Sequence, residues 1–264
     1  MKKVLWFHAT TLISALTLSI FNPSGNLHVQ AQTVTPASKI TYVAPTAQEK
    51  PGEPTGRRRG GGSRGSCKQY EKLTALVPIN KIGNKDLVWG QSASQTPTFW
   101  FFVPDKLTPQ IPVEFVIQDE ADNYVYHTKF NPPETRSGIF RIPVQPTKPL
   151  VAGKSYRWTF SIYCDPNKPS SAVYVQGSMT QVALNPSWQQ ELTAAKTPLE
   201  KASFFAQHGV WYDALTSLGE SLQNTKDKDP NIASAWSELL KQVDLSQVGT
   251  DAIAEADAQT SLHP

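Results

Sequence analysis

The stretch Leu150-Val151-Ala152-Gly153-Lys154-Ser155-Tyr156-Arg157-Trp158-Thr159-Phe160-Ser161-Ile162 decides the fold class. Its second half alternates without a break. Tyr156, Trp158, Phe160 and Ile162 fall on one side, and Arg157, Thr159 and Ser161 on the other. Successive side chains of an extended chain point to opposite faces, so the pattern predicts a strand with one buried face.

The first half of the stretch has the spacing L-x-x-G-x-x-Y, with Leu150, Gly153 and Tyr156 as its fixed points. It resembles the tyrosine corner of fibronectin type III and immunoglobulin-like domains. There glycine lets the chain turn between sheets and the tyrosine hydroxyl ties back to upstream backbone. The flanking sequence supplies further strands. Thr98-Phe99-Trp100-Phe101-Phe102-Val103, closed by Pro104, is a continuous apolar run expected to be buried on both faces. Val113-Glu114-Phe115-Val116-Ile117-Gln118 puts Val113, Phe115 and Ile117 on one face, and residues 124–130 return after a turn as a hairpin partner. Thr74-Ala75-Leu76-Val77-Pro78 and residues 139–144 and 172–182 are also strand-like. About seven short strands between Pro- and Gly-rich turns predict an antiparallel sandwich of immunoglobulin or fibronectin III type over residues 66–184, with a small barrel as the second choice.

After Asn185-Pro186 the apolar period changes from two to 3.6. Ser187 is placed to cap a helix over residues 188–196, and Thr197-Pro198-Leu199-Glu200 is a capping box opening a second helix that ends at Gly209. Residues 211–224 carry Trp211, Leu215, Leu218 and Leu222 on one stripe, and a fourth helix starting at Asp229-Pro230 carries Ile232, Trp236, Leu239 and Leu240. Residues 205–215 resemble the inter-helix turn of a tetratricopeptide repeat. One such unit makes no repeat groove, so residues 185–248 are expected to be a helical hairpin packed on the sandwich, with residues 249–264 a flexible tail.

At the other end, Lys2 and Lys3 precede a mostly apolar run over residues 4–21 and the breaker Asn22-Pro23-Ser24-Gly25. This is the pattern of a signal peptide covering residues 1–31, with Val29 and Ala31 as the small residues before cleavage. An uncleaved anchor is the alternative, although His8 and several Thr and Ser residues dilute the run. No cysteine lies near the cleavage point, so a lipoprotein is not expected. A hydrophobic fraction of 39% with negative mean hydropathy argues against a multi-span membrane protein. The formal charge of +3 is too small to name a partner. In an exported chain the two cysteines, Cys67 and Cys164, are expected to pair, two buried thiols being the alternative.

Residues 32–65, rich in Thr, Pro, Ala, Gln and Gly, read as a disordered linker. It ends in the chain's strongest charge asymmetry, with Arg57, Arg58, Arg59 and Arg64 among glycines. These arginines are candidates for binding an anionic envelope polymer, lipid headgroup or protein partner, and a solvated linker is the plainer reading. Export makes nucleic acid an improbable partner despite the likeness to RGG segments. The same tract matches G-x-S-x-G at Gly61 to Gly65 and G-x-G-x-x-G at Gly60, Gly62 and Gly65, but lacks the strand and helix that either motif needs. His127, His208 and His263 have no ligand spacing to one another or to the cysteines, so neither metal nor cofactor is expected. Asp119, Glu120 and Asp122 read as a hairpin turn rather than a calcium loop. Trp89 and Tyr163 are candidate sugar-stacking aromatics, although most tryptophans sit on apolar stripes.

Several segments in this order carry a resemblance: GRRRGGGSRGSC at 56–67, LTALVP at 73–78, PTFWFFVP at 97–104, EFVIQDEADNYVY at 114–126, PLVAGKSYRWTFSIYCDP at 149–166 and HGVWYDAL at 208–215. The chain is similar over residues 57–245 to the cyanobacterial domain of unknown function 928 family. That resemblance implies an exported cyanobacterial protein, a structural role for the region of Arg57, Cys67 and Cys164, and one continuous unit including the helices. It supplies no catalytic residues. The expected function is a non-enzymatic envelope protein binding a protein or a surface polymer. A secreted polysaccharide hydrolase with unrecognised carboxylates is the alternative, and a regulatory or sensory partner of an envelope-anchored protein is a third reading.

Overall fold

Phe99 and Phe101 meet Phe115, Trp158 and Phe160 in the interior, with ring centroids 4.5–5.9 Å apart. This aromatic layer lies between two sheets. The computed structural model describes residues 39–46, 55–61, 67–165, 167–224 and 230–249. The signal peptide, Arg64, His263 and the tail fall outside those residues. Strands β1 (Thr74–Ala75), β4 (Thr98–Val103) and β7 (Gly138–Pro143) form a three-stranded sheet in the order β1-β4-β7. Strands β2 (Ile79–Ile82), β3 (Lys85–Ser92), β5 (Val113–Gln118), β6 (Tyr124–Phe130), β8 (Ser155–Ile162) and β9 (Val173–Gln181) form a second in the order β2-β3-β9-β8-β5-β6. All its pairings are antiparallel except β3 with β9. The chain is mainly β, with helices at its C-terminal end.

The alternation in β8 is realised as expected, with Tyr156, Trp158, Phe160 and Ile162 buried. Upstream, the chain turns at Gly153 with φ +80°, and the Val151 N–H donates to the Tyr156 hydroxyl at 2.8 Å. The pairing of residues 74–78 is shorter than expected. It stops at Ala75, where the chain bends and the Val77 N–H donates to the Ala75 carbonyl. The hairpin β2–β3 is an addition to the expected strands. Gly83-Asn84 at its tip is a two-residue hairpin signal between runs too polar at their ends to read as strands.

Helices α1 (Pro186–Ala194), α2 (Pro198–Gln207), α3 (Trp211–Asn224), α4 (Pro230–Lys241) and α5 (Ser246–Gly249) follow. The first is capped by Asn185 rather than Ser187, because Pro186 occupies the first helical position and the Asn185 side chain accepts from the Trp188 N–H. Thr197 and Glu200 form the expected capping box of α2. Strand β4 is buried on both faces because these helices cover its far side. Trp100 points away from the aromatic layer and meets Trp236 of α4 edge-on at 5.5 Å. A β-carbon on Gly219 of α3 would lie 2.5 Å from the Trp100 ring, so only glycine permits this approach.

Helix α3 fastens the layers together through a run of polar contacts at its buried face. Trp211 donates to the Leu76 carbonyl at 2.8 Å, and Trp100 donates to Thr216. Arg141 pairs with Glu220 at 3.1 Å. Deepest of all, Trp158 of β8 donates to the Tyr212 hydroxyl at 2.8 Å. Both side chains are buried; the Tyr212 hydroxyl that accepts from Trp158 in turn donates to the Ser178 carbonyl at 3.4 Å.

The linker expected over residues 32–65 is corrected at two places. Residues 55–61 form a strap across both sheets. The Val88 N–H donates to Thr55, Arg57 exchanges both backbone bonds with Gln176 of β9, and the Ala75 N–H donates to Arg58. Gly56 makes the crossing possible: its φ is +87°, and a β-carbon there would lie 2.9 Å from both Gln176 O and Val88 Cβ. Residues 39–46 also pack, with Ile40 only 1% exposed. Their composition is that of a linker, yet distant segments satisfy their backbone groups, and composition does not register that.

Tyr212→Phe is expected to leave the Trp158 N–H without its principal partner and to lower stability by about 1–3 kcal/mol. Urea denaturation monitored by tryptophan fluorescence measures it.

Candidate functional site

Alternation along the strap sends its three ordered arginines to three fates. The Arg57 guanidinium lies 4.7 Å over the Tyr174 ring, on the outer side of β9. Arg58 is 9% exposed, and its Nη1 donates to the Val243 carbonyl at 2.7 Å, just beyond the C-terminus of α4. A cation placed there meets the negative end of the helix dipole. Burial lowers its pKa, as does the Arg59 charge, while Asp244 and Asp86 work the other way. Arg58 is therefore a structural pin. Arg59 is exposed and lines a cavity of about 560 Å³.

That cavity is assembled from four separate segments. Arg59 and Gly60 come from the strap, Glu71, Lys72 and Thr74 from the entry to β1, and Leu245, Gln247 and Val248 from the region of α5. Phe102 of β4 adds an apolar patch, with Leu245 and Val248 beside it. The cations Arg59 and Lys72 stand against one carboxylate, Glu71. Such a lining suits an anionic group attached to an apolar body. Of the four arginines singled out in the sequence, one lines this cavity, two are engaged elsewhere and Arg64 is outside the described residues. The apolar wall from Phe102, Leu245 and Val248 had no sequence signal, because it exists only after α4 and α5 return to the strap.

Cys67 and Cys164 form a disulfide with a Cα–Cα distance of 5.4 Å and a sequence separation of 97. It ties the entry to β1 to the exit of β8. Among the described residues no group of three His, Cys, Asp or Glu is arranged to hold a metal ion. Asp119 acts as a turn former, its carboxylate accepting from the backbone of Ala121 and Asn123. Asp122 pairs with Arg157 and Glu120 with Lys154. The glycine motifs over residues 60–65 lie mostly outside the described residues, and the next described element is a short 3-10 turn at Lys68–Tyr70.

The two aromatics considered for sugar stacking differ from that expectation. Trp89 is 6% exposed and donates to Thr180, so neither of its faces is open. Tyr163 carries Lys129 over its ring at 4.3 Å and donates from its hydroxyl to Glu114. His127 holds the other Glu114 oxygen at 2.8 Å. Burial works to raise the Glu114 pKa, but Tyr163, His127 and the Lys129 charge outweigh it and hold the carboxyl below its ordinary range. For Tyr163, burial and then Glu114 push the phenol up to about 12. This cluster cross-braces β5, β6 and the end of β8.

Sequence reading passed over Asp213, in the first turn of α3. Its carboxyl accepts from the Ala93 N–H at 3.0 Å and interacts with Ser92 and Ser94, beside a cavity of about 120 Å³. Burial raises its pKa to about 6, against the lowering effect of those hydrogen bonds. The signal was an acidic residue at a helix start, which on its own does not distinguish a surface charge from a buried one.

An unfolded aspartate loses its proton near pH 3.9, so between about pH 4 and 6 the folded state holds the extra proton. The contribution of Asp213 to stability is expected to fall as pH rises through that window and to stay level above it. Asp213→Asn should remove that slope from a pH series of denaturation midpoints. Replacing Cys67 and Cys164 together by serine is expected to cost about 4–5 kcal/mol by the loop-entropy relation. Denaturation of the variant beside the oxidised parent reads this directly.

No helix among the described residues is long and apolar enough to cross a membrane. No curated protein matches the chain. A family model does, and its match runs from Arg59 in the strap, through both sheets and past α5, so that it takes in every wall of the cavity. On residues 59–253 the chain belongs to the family described as Domain of Unknown Function (DUF928).

Proposed function

We propose that this is an exported, non-enzymatic protein of the cell envelope that binds an anionic surface polymer or an acidic protein segment at the cavity beside the strap. The observation that carries the reading is that Arg59, on a strap bridged to β1 and β9 rather than on a free tail, and Lys72, at the entry to β1, line one cavity with an apolar wall. Export rests on the charged and apolar pattern of residues 1–31 and on a disulfide suited to an oxidising compartment. The uncleaved anchor would present the same cavity from a membrane surface.

The scaffold is read as an immunoglobulin- or fibronectin III-like sandwich. Supporting this are the strand orders β9-β8-β5-β6 and β1-β4-β7, the parallel β3–β9 pairing, and the hydroxyl tie of Tyr156 ahead of β8. The α2–α3 pair, turning at Gly209, is read as a single tetratricopeptide-like unit serving as a brace.

Binding to alginate and dextran sulfate beads at about 0.15 M salt tests the site, since a contact of this kind weakens as salt screens it. Arg59→Glu with Lys72→Glu is expected to reduce retention at least tenfold with the denaturation midpoint unchanged. Equal retention of parent and variant, or turnover of the polymer by the parent, would overturn the reading.

A further inference from the structure

The segment Lys39-Ile40-Thr41-Tyr42-Val43-Ala44-Pro45-Thr46 lies on the helical layer as a bound peptide would. Gln242, just past α4, grips its backbone twice: Oε1 accepts from the Tyr42 N–H at 2.9 Å, and Nε2 donates to the Ile40 carbonyl at 3.0 Å. The Val43 N–H donates to the Ala206 carbonyl at the end of α2. Three side chains are read, at positions 40, 42 and 45. Ile40 is buried, Tyr42 meets Trp211 edge-on at 5.0 Å, and Pro45 rests against Gly209, where a β-carbon would lie 2.8 Å from its ring. Main-chain bonds for affinity with pockets at alternate residues are how extended peptides are recognised.

We infer that the surface formed by α2, the start of α3 and the end of α4 is a peptide-binding site for extended segments of the form aliphatic-x-aromatic-x-x-Pro, and that residues 39–46 are its resident ligand. None of the contacts depends on the segment being joined to the rest of the chain. The fit is also imperfect in one place. Among the described residues the buried Tyr42 hydroxyl has no hydrogen-bond partner, so a partner segment with phenylalanine at that position makes the same contacts without that loss. The occupant from outside is accordingly a segment of a partner protein, admitted by displacing residues 39–46. This site is separate from the cationic cavity and does not depend on its ligand.

The test uses the full chain carrying Ile40→Asp, which expels the resident segment by burying a charge. A free peptide of residues 39–46 is expected to raise Tm by about 5–10 °C at a hundredfold excess over its Kd. The peptide with phenylalanine for Tyr42 should bind several-fold tighter. A scrambled peptide should give no shift, and adding Gln242→Ala to the chain should abolish the rescue. No rescue, or equal rescue by the scrambled peptide, overturns the inference. If Ile40→Asp does not fold, a protease site placed in residues 47–54 of the otherwise unchanged chain is cut after folding and the product weighed by native mass spectrometry. Retention of the fragment and its exchange for added labelled peptide support the site. Loss of the fragment with no uptake of label overturns it.

Discussion

The hydrogen bond from Trp158 to Tyr212 is the point on which the layers are registered. Trp158 belongs to the six-stranded sheet, and Tyr212 to a helix that also lies along β4 of the three-stranded one. For the two to meet, α3 must start at the end of the sandwich, reach between the sheets, and then run along the far side of β4. Phe99 packs on Tyr212 at 4.9 Å, and Gly90 leaves room for Trp211 and Tyr212 against β3. With that start fixed, Trp100, Thr216, Arg141 and Glu220 fall opposite one another along the helix. The positions of α4 and α5, and with them one wall of the cationic cavity, follow from the same docking.

Burial of polar groups in pairs recurs through the molecule and separates structural charge from available charge. Arg58 is held by a carbonyl past the end of α4, and Asp213 by the turn after β3. Arg59 and Lys72 face open space over an apolar wall. A run of arginines that looks uniform in sequence is thus divided by the pleat of an extended strap into a stacked, a buried and a surface cation.

What the sequence made legible was local. The alternation of residues 156–162, the capping box at Thr197 and the stripe of α3 are each set by neighbours within a few residues, and the structure follows them. The double burial of β4 was readable because Phe99, Trp100 and Phe101 leave no polar face. The strap and the segment at Ile40 were not readable. They have little apolar content, and they are ordered by hydrogen bonds to separate segments, from Leu73, Ala75 and Val88 to Gln176, Ala206 and Gln242. The cavity was hidden for the same reason, since Phe102, Leu245 and Arg59 share nothing in sequence. Hairpin β2–β3 was missed for a different cause: its two-residue tip was a signal, but its charged ends masked the strands.

The strap has a consequence in time as well as in space. Residues 39–61 leave the ribosome early, yet Arg57 pairs with residue 176, Ile40 with residue 242 and Arg58 with residue 243. The first part of the fold to be made is therefore among the last to be completed. Contacts of such high sequence separation make folding slow, and a chain interrupted before α4 lacks the Gln242 and Val243 contacts that hold Ile40 and Arg58. Until Val243 has been made, Ile40 and the Arg58 guanidinium lack these partners, so the settling of the early segment marks the completion of α4.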